Sequence, residues 1–317
     1  DPAELALSAW SLARWRAITP QLPDSCAWRG CGTLWLAESE EEMAVAREKQ
    51  QRMAGYQAHS ELQTAQQIAG RESLLRSGLA GGLWVPGDGI VYAPNVARWL
   101  IADAGDNLTC LNDSAQAIEE PQVLLASGKR LQARAIVAAC GLEANALLAE
   151  HWLRPKKGQL AITDRYGPLV RHQLVELGYG ASAHGGGTSV AFNVQPRPTG
   201  QLLIGSSRQF DNTNRQLDLP LLAQMLDRAR HFLPALATLN IIRCWGGLRA
   251  ASQDGNPLLG PHPTRRGVWL ALGHEGLGVT TAPATAELLA AQILGERCPL
   301  APEPWLPARL YKQEAIA

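Results

Sequence analysis

The stretch that most restricts what this chain can fold into runs from Val268 to Pro283. Five apolar residues, Val268-Trp269-Leu270-Ala271-Leu272, are followed by Gly273-His274-Glu275-Gly276-Leu277-Gly278 and then by Val279-Thr280-Thr281-Ala282-Pro283. The apolar run reads as a buried strand, and a helix starting at Thr280 or Thr281 would carry Pro283 in its first turn, where proline is tolerated. Three glycines in the connection let backbone N–H groups approach a flat or anionic ligand, and the helix N-terminus adds about half a positive charge aimed at it. A tight strand-to-helix turn with a threonine N-cap needs the same residues. Glycine spacing alone leaves both readings open.

Two other segments bear on that choice. Ala135 to Leu142 is a second apolar strand that ends in small residues, as backbone passing close to a nucleotide requires. Trp245-Gly246-Gly247-Leu248-Arg249 and the residues through Gly260 place one arginine in a glycine-flanked, otherwise apolar stretch. Arg249 is either a bidentate ligand for a carboxylate or a structural ion-pair partner, for which Asp254 is the nearest candidate.

The remaining pattern alternates strands and helices in two blocks. A first helix is expected over Leu5 to Ala17, a strand at Thr33 to Ala37, and one or two exposed helices between Glu40 and Gln66. Strand, turn and strand follow from Leu83 to Val91, then a helix from Pro94 to Ile101. Strands are expected at Leu108 to Leu111, Gln122 to Leu125, Ala135 to Ala139, Gly158 to Thr163, Thr188 to Gln195, Gln201 to Ile204 and Asn240 to Cys244, with helices at Leu219 to Phe232 and Thr280 to Leu294. Pro299 to Pro307 reads as an extended arm.

With 317 residues, 46% of them apolar, the chain can bury one large core or two coupled ones. Lys+Arg and Asp+Glu balance at 29 each without a basic stripe, which argues against nucleic acid as a partner. No apolar window is long enough for a transmembrane helix, and Asp1-Pro2-Ala3-Glu4 does not open like a signal peptide. The six cysteines lack a C-x-x-C pair and read as buried free thiols of a reducing compartment, with Cys26 and Cys31 as a weaker metal or disulfide pair. The seven histidines include no H-x-x-x-H or H-E-x-x-H, so no metal site is expected.

In their order, these segments resemble the D-amino-acid-oxidase superfamily from near residue 1 to about residue 296. The resemblance is carried by Pro86-Gly87-Asp88-Gly89, Ala138-Ala139-Cys140-Gly141, Lys157-Gly158-Gln159, Ile204-Gly205-Ser206-Ser207, Trp245 to Arg249, and Gly273 to Gly278 followed by Ala282-Pro283-Ala284-Thr285. The Gly-His-Glu-Gly form is most like the β subunits of D-hydroxyproline dehydrogenases, opine oxidases and hydrogen cyanide synthase. Family members open with a strand and Gly-x-Gly-x-x-Gly, which nothing here matches. Gly30-Cys31-Gly32 lacks the third glycine and precedes a strand, and Gly185-Gly186-Gly187 reads as a loop. About fifty-five residues of the family pattern thus fall outside this sequence, and these 317 residues alone are expected to hold FAD weakly.

The resemblance implies an α/β (α+β) fold: a Rossmann-like FAD-binding domain over residues 1–27, 88–157 and 246–317, and a substrate domain with a mostly antiparallel sheet over 28–87 and 158–245. It implies FAD as cofactor and oxidation of an amino or imino acid by hydride transfer from the α-carbon to flavin N5, in a cytoplasmic protein or one peripheral to the inner membrane face. Electrons would pass to a partner subunit or a respiratory acceptor. The rivals are an oxygen-using oxidase of glycine or sarcosine type and a non-catalytic remnant. Arg249 takes the position of the substrate-carboxylate ligand, with His274 and Glu275 as further candidates to touch substrate or flavin. Cys140 and Gly141 fall near the adenosine half, and Gly247, Gly273, Gly276, Leu277, Gly278, Val279 and Thr280 near the ring. Phe192 and Gln195, on a strand the resemblance turns toward substrate, fit sheet packing equally well, and His184 is a lid candidate or simply solvated.

Overall fold

The computed structural model describes residues 1–178 and 187–314, which divide into two units. His184 lies outside the described residues. In chain order the elements begin with α1 (Pro2–Ile18), β1 (Thr33–Ala37), α2 (Glu40–Ala54), β2 (Glu61–Thr64), α3 (Ala65–Arg71), β3 (Gly81–Val85) and α4 (Ala93–Asp103). The middle contains β4 (Ala115–Glu119), β5 (Gln122–Leu125), β6 (Arg130–Gln132), β7 (Ile136–Ala138), α5 (Ala144–Leu148), β8 (Leu153–Thr163), β9 (Gln173–Glu176), β10 (Ser189–Pro196) and β11 (Leu202–Phe210). The chain continues with α6 (Leu219–Phe232), β12 (Ile241–Ser252), β13 (Leu258–Pro261), β14 (Val268–Leu272), α7 (Gly278–Leu294) and α8 (Ala308–Glu314).

One unit comprises Leu22–Leu100 and Lys157–Leu248. Its sheet has the order β12-β8-β11-β10-β9-β1-β3-β2. β1 runs parallel to β9, while the β1–β3, β2–β3, β9–β10 and β10–β11 pairs are antiparallel. In α6, Leu221, Leu222, Met225, Ala229 and Phe232 recur at helical spacing and are buried, and Asp218 caps the first turn by accepting from Leu221 N–H. Phe232 stacks on Phe192 with ring centroids 4.6 Å apart. Phe192 is fully buried, so on this strand the packing role is realised. Beside the core sits a partly exposed charged bracket: Glu38 accepts from Arg76 (2.6 Å), His231 (2.6 Å) and Arg228, and Arg228 also meets Glu176. Against the burial that would raise it, these hydrogen bonds hold the Glu38 carboxyl at about 2.

The other unit comprises Asp1–Gln21, Ile101–Lys156 and Arg249–Ala317. Its central strand is β14, flanked by β13 antiparallel and β7 parallel, with Val268, Trp269 and Leu270 opposite Ile136, Val137 and Ala138. β4, β5 and β6 form a separate antiparallel sheet. α1 lies along α7: Ser11 Oγ donates to Thr280 O (2.6 Å), and Glu287 accepts from Trp10 and Arg14. Among the described residues nothing pairs with the outer edge of β7, where Val137 is 46% exposed.

Several expectations are corrected. Leu108 to Leu111 is not a strand; Leu108 and Leu111 lie exposed with no partner strand among the described residues. Asn240 to Cys244 and the glycine-rich segment behind it form one strand, β12, because the glycines sit in extended rather than turning backbone. The region Glu40 to Gln66 holds α2 and the start of α3, and between them an unexpected short strand, β2, that pairs with β3. The proline-rich tail packs against the unit as an arm, with Trp305 2% exposed in a cluster with Leu7, Leu259, Ala284 and Leu288, but Glu303–Trp305 forms a 3-10 turn instead of extended chain. Cys110 and Cys140 are exposed, whereas Cys26 and Cys31 are buried free thiols. Residues 22–27 and 88–100 group with the sheet unit, since Gly32 donates to Asp88 O, Tyr92 to Cys26 O, and Arg29 and Ile90 bridge.

Candidate functional site

β7 and β14 run parallel and stop side by side, so the residues that leave their carboxyl ends emerge together. These are Cys140 and Gly141 after β7 and Gly273 after β14, with both glycines in the left-handed region at φ 63° and 77°. In open α/β sheets ligands bind outside the carboxyl ends of such strands. The loop 273–277 then leads into α7, which starts at Gly278, two residues before the threonine expected to cap it. Leu277 stands at the N-cap without a side-chain hydrogen bond, and Thr281 Oγ1 donates back to Leu277 O (2.9 Å). The first-turn N–H groups of a 17-residue helix are therefore left without a side-chain cap.

Arg249 reaches this loop because the end of β12 is pinned to it. Glu275 N–H donates to Ala250 O (3.0 Å), and Ala251 bridges His274. Arg249 Nε lies 3.8 Å from Glu275 Oε1. Asp254 is held by Arg309 at 2.6 Å, so the ion-pair partner of Arg249 is Glu275 and not Asp254. Glu275 has φ 50°, uncommon for a residue with a side chain, and its Oε2 accepts from Gly276 N–H at 2.6 Å. Lys156, from the start of β8, brings Nζ to 3.4 Å from Glu275 Oε1 with its side chain 7% exposed.

His274 points the other way. Its Nε2 hydrogen-bonds Thr285 Oγ1 at 3.0 Å, and burial pushes the imidazole down to about 4, so it is neutral at physiological pH. With Val137, Ala282 and Ala286 it lines an apolar hollow of about 500 Å³ beside α7.

The structure thus gathers Arg249, His274, Glu275, Gly273, Gly276, Leu277, Gly278, Val279 and Thr280 around one loop, with Cys140 and Gly141 at the neighbouring strand end. Gly247 precedes Arg249 by two residues on β12 but groups with the sheet unit. Lys156 escaped the sequence reading. Its signal was Lys156-Lys157, two lysines side by side in a strand, where alternation sends them to opposite faces and both are buried.

A flat, electron-rich ring fits these residues. A Cβ added at Gly276 would meet only Arg249, at 3.9 Å, so the loop backbone there faces open space two residues before an uncapped helix start. The arrangement is that of the dinucleotide-binding class of α/β proteins. The sequence profile of the FAD dependent oxidoreductases matches residues 1–292, and the chain belongs to that family, whose cofactor is FAD. It is 30% identical over 229 residues to glycine oxidase of Geobacillus kaustophilus, across 68% of this chain and 57% of that protein. It is 26% identical over 301 residues to a subunit of opine oxidase from Rhizobium meliloti, across 88% and 75%. The crystal structure of glycine oxidase from Geobacillus kaustophilus superposes with TM-score 0.83 at 25% identity, over 95% of this chain and 81% of that one. Among the described residues no cluster of His, Cys, Asp and Glu is fit for a metal ion, and no helix is long and apolar enough to cross a membrane.

Proposed function

We propose that the protein oxidises the C–N bond of an amino or imino acid, with Arg249 binding the substrate carboxylate. The observation that carries this reading is the pinning of β12 to the loop 273–277, which sets a guanidinium beside the glycines rather than in the Asp254 pair. A planar fork matches a carboxylate at two points and fixes the α-carbon behind it. When bound, FAD supplies the acceptor for the hydride that leaves the α-carbon. Gly276, Leu277 and Gly278, with the N–H groups of Val279 and Thr280, would hold the ring and place positive charge against it. Cys140 and Gly141 would lie toward the adenosine half. His274, neutral and bonded to Thr285, supports the loop rather than moving a proton. In this reading the residues around Arg249 and α7 form the cofactor unit, and the large sheet belongs to the substrate unit.

The complete gene product, purified with its flavin, is mixed anaerobically with glycine, sarcosine and D-proline. Bleaching of the flavin band by at least one of them is expected. A colourless protein that takes up no FAD, or a yellow one that none of them reduces, overturns the reading. The likeness to one component of opine oxidase supports electron transfer to a partner subunit. In that case turnover needs a dye or the partner, and rapid hydrogen peroxide formation with oxygen alone would assign an oxidase instead.

A further inference from the structure

Glu275 has one satisfied carboxylate oxygen and one that is not. Oε2 takes the Gly276 N–H, while Oε1 is buried and, among the described residues, receives no hydrogen bond. Two cations nevertheless converge on that same oxygen, Lys156 Nζ at 3.4 Å and Arg249 Nε at 3.8 Å. A buried carboxylate oxygen without a donor is costly and is normally matched by a partner. Lys156 is itself firmly set. Asn145 clamps the start of β8 by accepting from Leu153 N–H (3.2 Å) and donating to Leu153 O (2.7 Å), three residues before Lys156.

We propose that Glu275 Oε1 accepts a hydrogen bond from the amine of the substrate whose carboxylate Arg249 holds, and that Lys156 is the positioning residue that keeps this carboxylate turned toward it. The proposal rests on the reading of Arg249 given above and names its substrate class: small α-amino or α-imino carboxylates, with the donor nitrogen and the acceptor carboxylate on one carbon. Such a ligand satisfies both neighbours at once, an acceptor for the guanidinium and an N–H for the orphaned oxygen. A carboxylate without an amine satisfies only Arg249. The backbone of Glu275 is held at φ 50° and Oε2 is fastened to the next residue, so Oε1 is the oxygen turned toward Lys156 and Arg249.

The test compares two ligands on the FAD-loaded complete protein: whichever of glycine, sarcosine and D-proline it oxidises fastest, and acetate as competitive inhibitor. Lys156→Met and Glu275→Gln should each raise KM for the amino acid about tenfold or more, while the inhibition constant for acetate changes less than about twofold. Lys156→Arg should recover most of the KM, and the double variant should be no worse than Glu275→Gln alone. If acetate and amino acid weaken together, or the two effects simply add, the inference fails while the Arg249 reading survives. If Lys156→Met does not fold, Lys156→Arg and Glu275→Gln decide by the same ratio. A wild type that oxidises none of the three overturns both readings.

Discussion

Replacing Arg249 by lysine keeps the charge and removes the fork. If Arg249 binds the substrate carboxylate, loss of a charge-assisted hydrogen bond of about 1.5–3 kcal/mol lowers kcat/KM by roughly one to two powers of ten, at unchanged flavin content. An Arg249 whose task was to steady Glu275 would give the opposite pattern, a lower melting temperature with kcat/KM nearly intact, so both are measured on the one variant. At this scale the sequence made Arg249 and the glycine loop legible, because an arginine among glycines and a strand-loop-helix are local features. The partner of Arg249 was not legible. Asp254 is five residues away and lost to Arg309, while Glu275 is twenty-six residues away and reaches Arg249 only through the bridge between β12 and the loop. Lys156 was hidden for the same reason: its burial is decided by residues far along the chain.

The loop before α7 separates glycines that shape the turn from glycines that leave room. Gly273 has φ 77°, and a Cβ there would stand 3.1 Å from Ser252 Cβ. Gly273→Ala should therefore destabilise the protein by about 1–2 kcal/mol, seen as a fall in the urea midpoint with or without flavin. At Gly276 a Cβ meets nothing closer than 3.9 Å. Gly276→Ala is expected to leave the urea midpoint of the flavin-free protein unchanged and to lower its affinity for FAD about tenfold, measured by fluorescence titration. Equal losses of stability in the two variants would remove the distinction. α6 was readable to its ends because its apolar spacing, its cap and its packing agree. Leu108 to Leu111 misled because an apolar run has the strand look whether or not another strand stands beside it. The start of α7 came two residues early, since the helix is not capped by either threonine and its first turn is laid down on Leu277.

Acid should act on the two units in sequence. His274 titrates at about 4 in the folded unit against 6.5 when free, so the unfolded chain binds the proton first and stability falls as pH drops from 6.5 toward 4. Glu38 behaves as a paired carboxylate, at about 2 against 4.5, and its contribution is lost as pH falls from 4.5 toward 2. Each amounts to at most about 3 kcal/mol, and less where solvent reaches the group. Urea unfolding at pH 7, 5.5 and 4 should show a declining midpoint that flattens in His274→Gln, while Glu38→Gln is weaker at pH 7 and loses the limb below 4.5. A midpoint independent of pH between 7 and 4 would contradict the burial of His274.

The outer edge of β7 has a consequence of a different kind. Its N–H and C=O groups face outward beside Val137 and the apolar hollow along α7, with no proline, lysine or bulge within Ile136–Ala138 to block an approaching chain. In the language of polymers this is a live end: any extended apolar segment can add to it, and the added strand offers a fresh end in turn. For these 317 residues taken alone, where no described strand pairs with that edge, light scattering should rise steeply with protein concentration after a lag, and Val137→Lys should lengthen that lag severalfold by placing a charge where the next strand must pack.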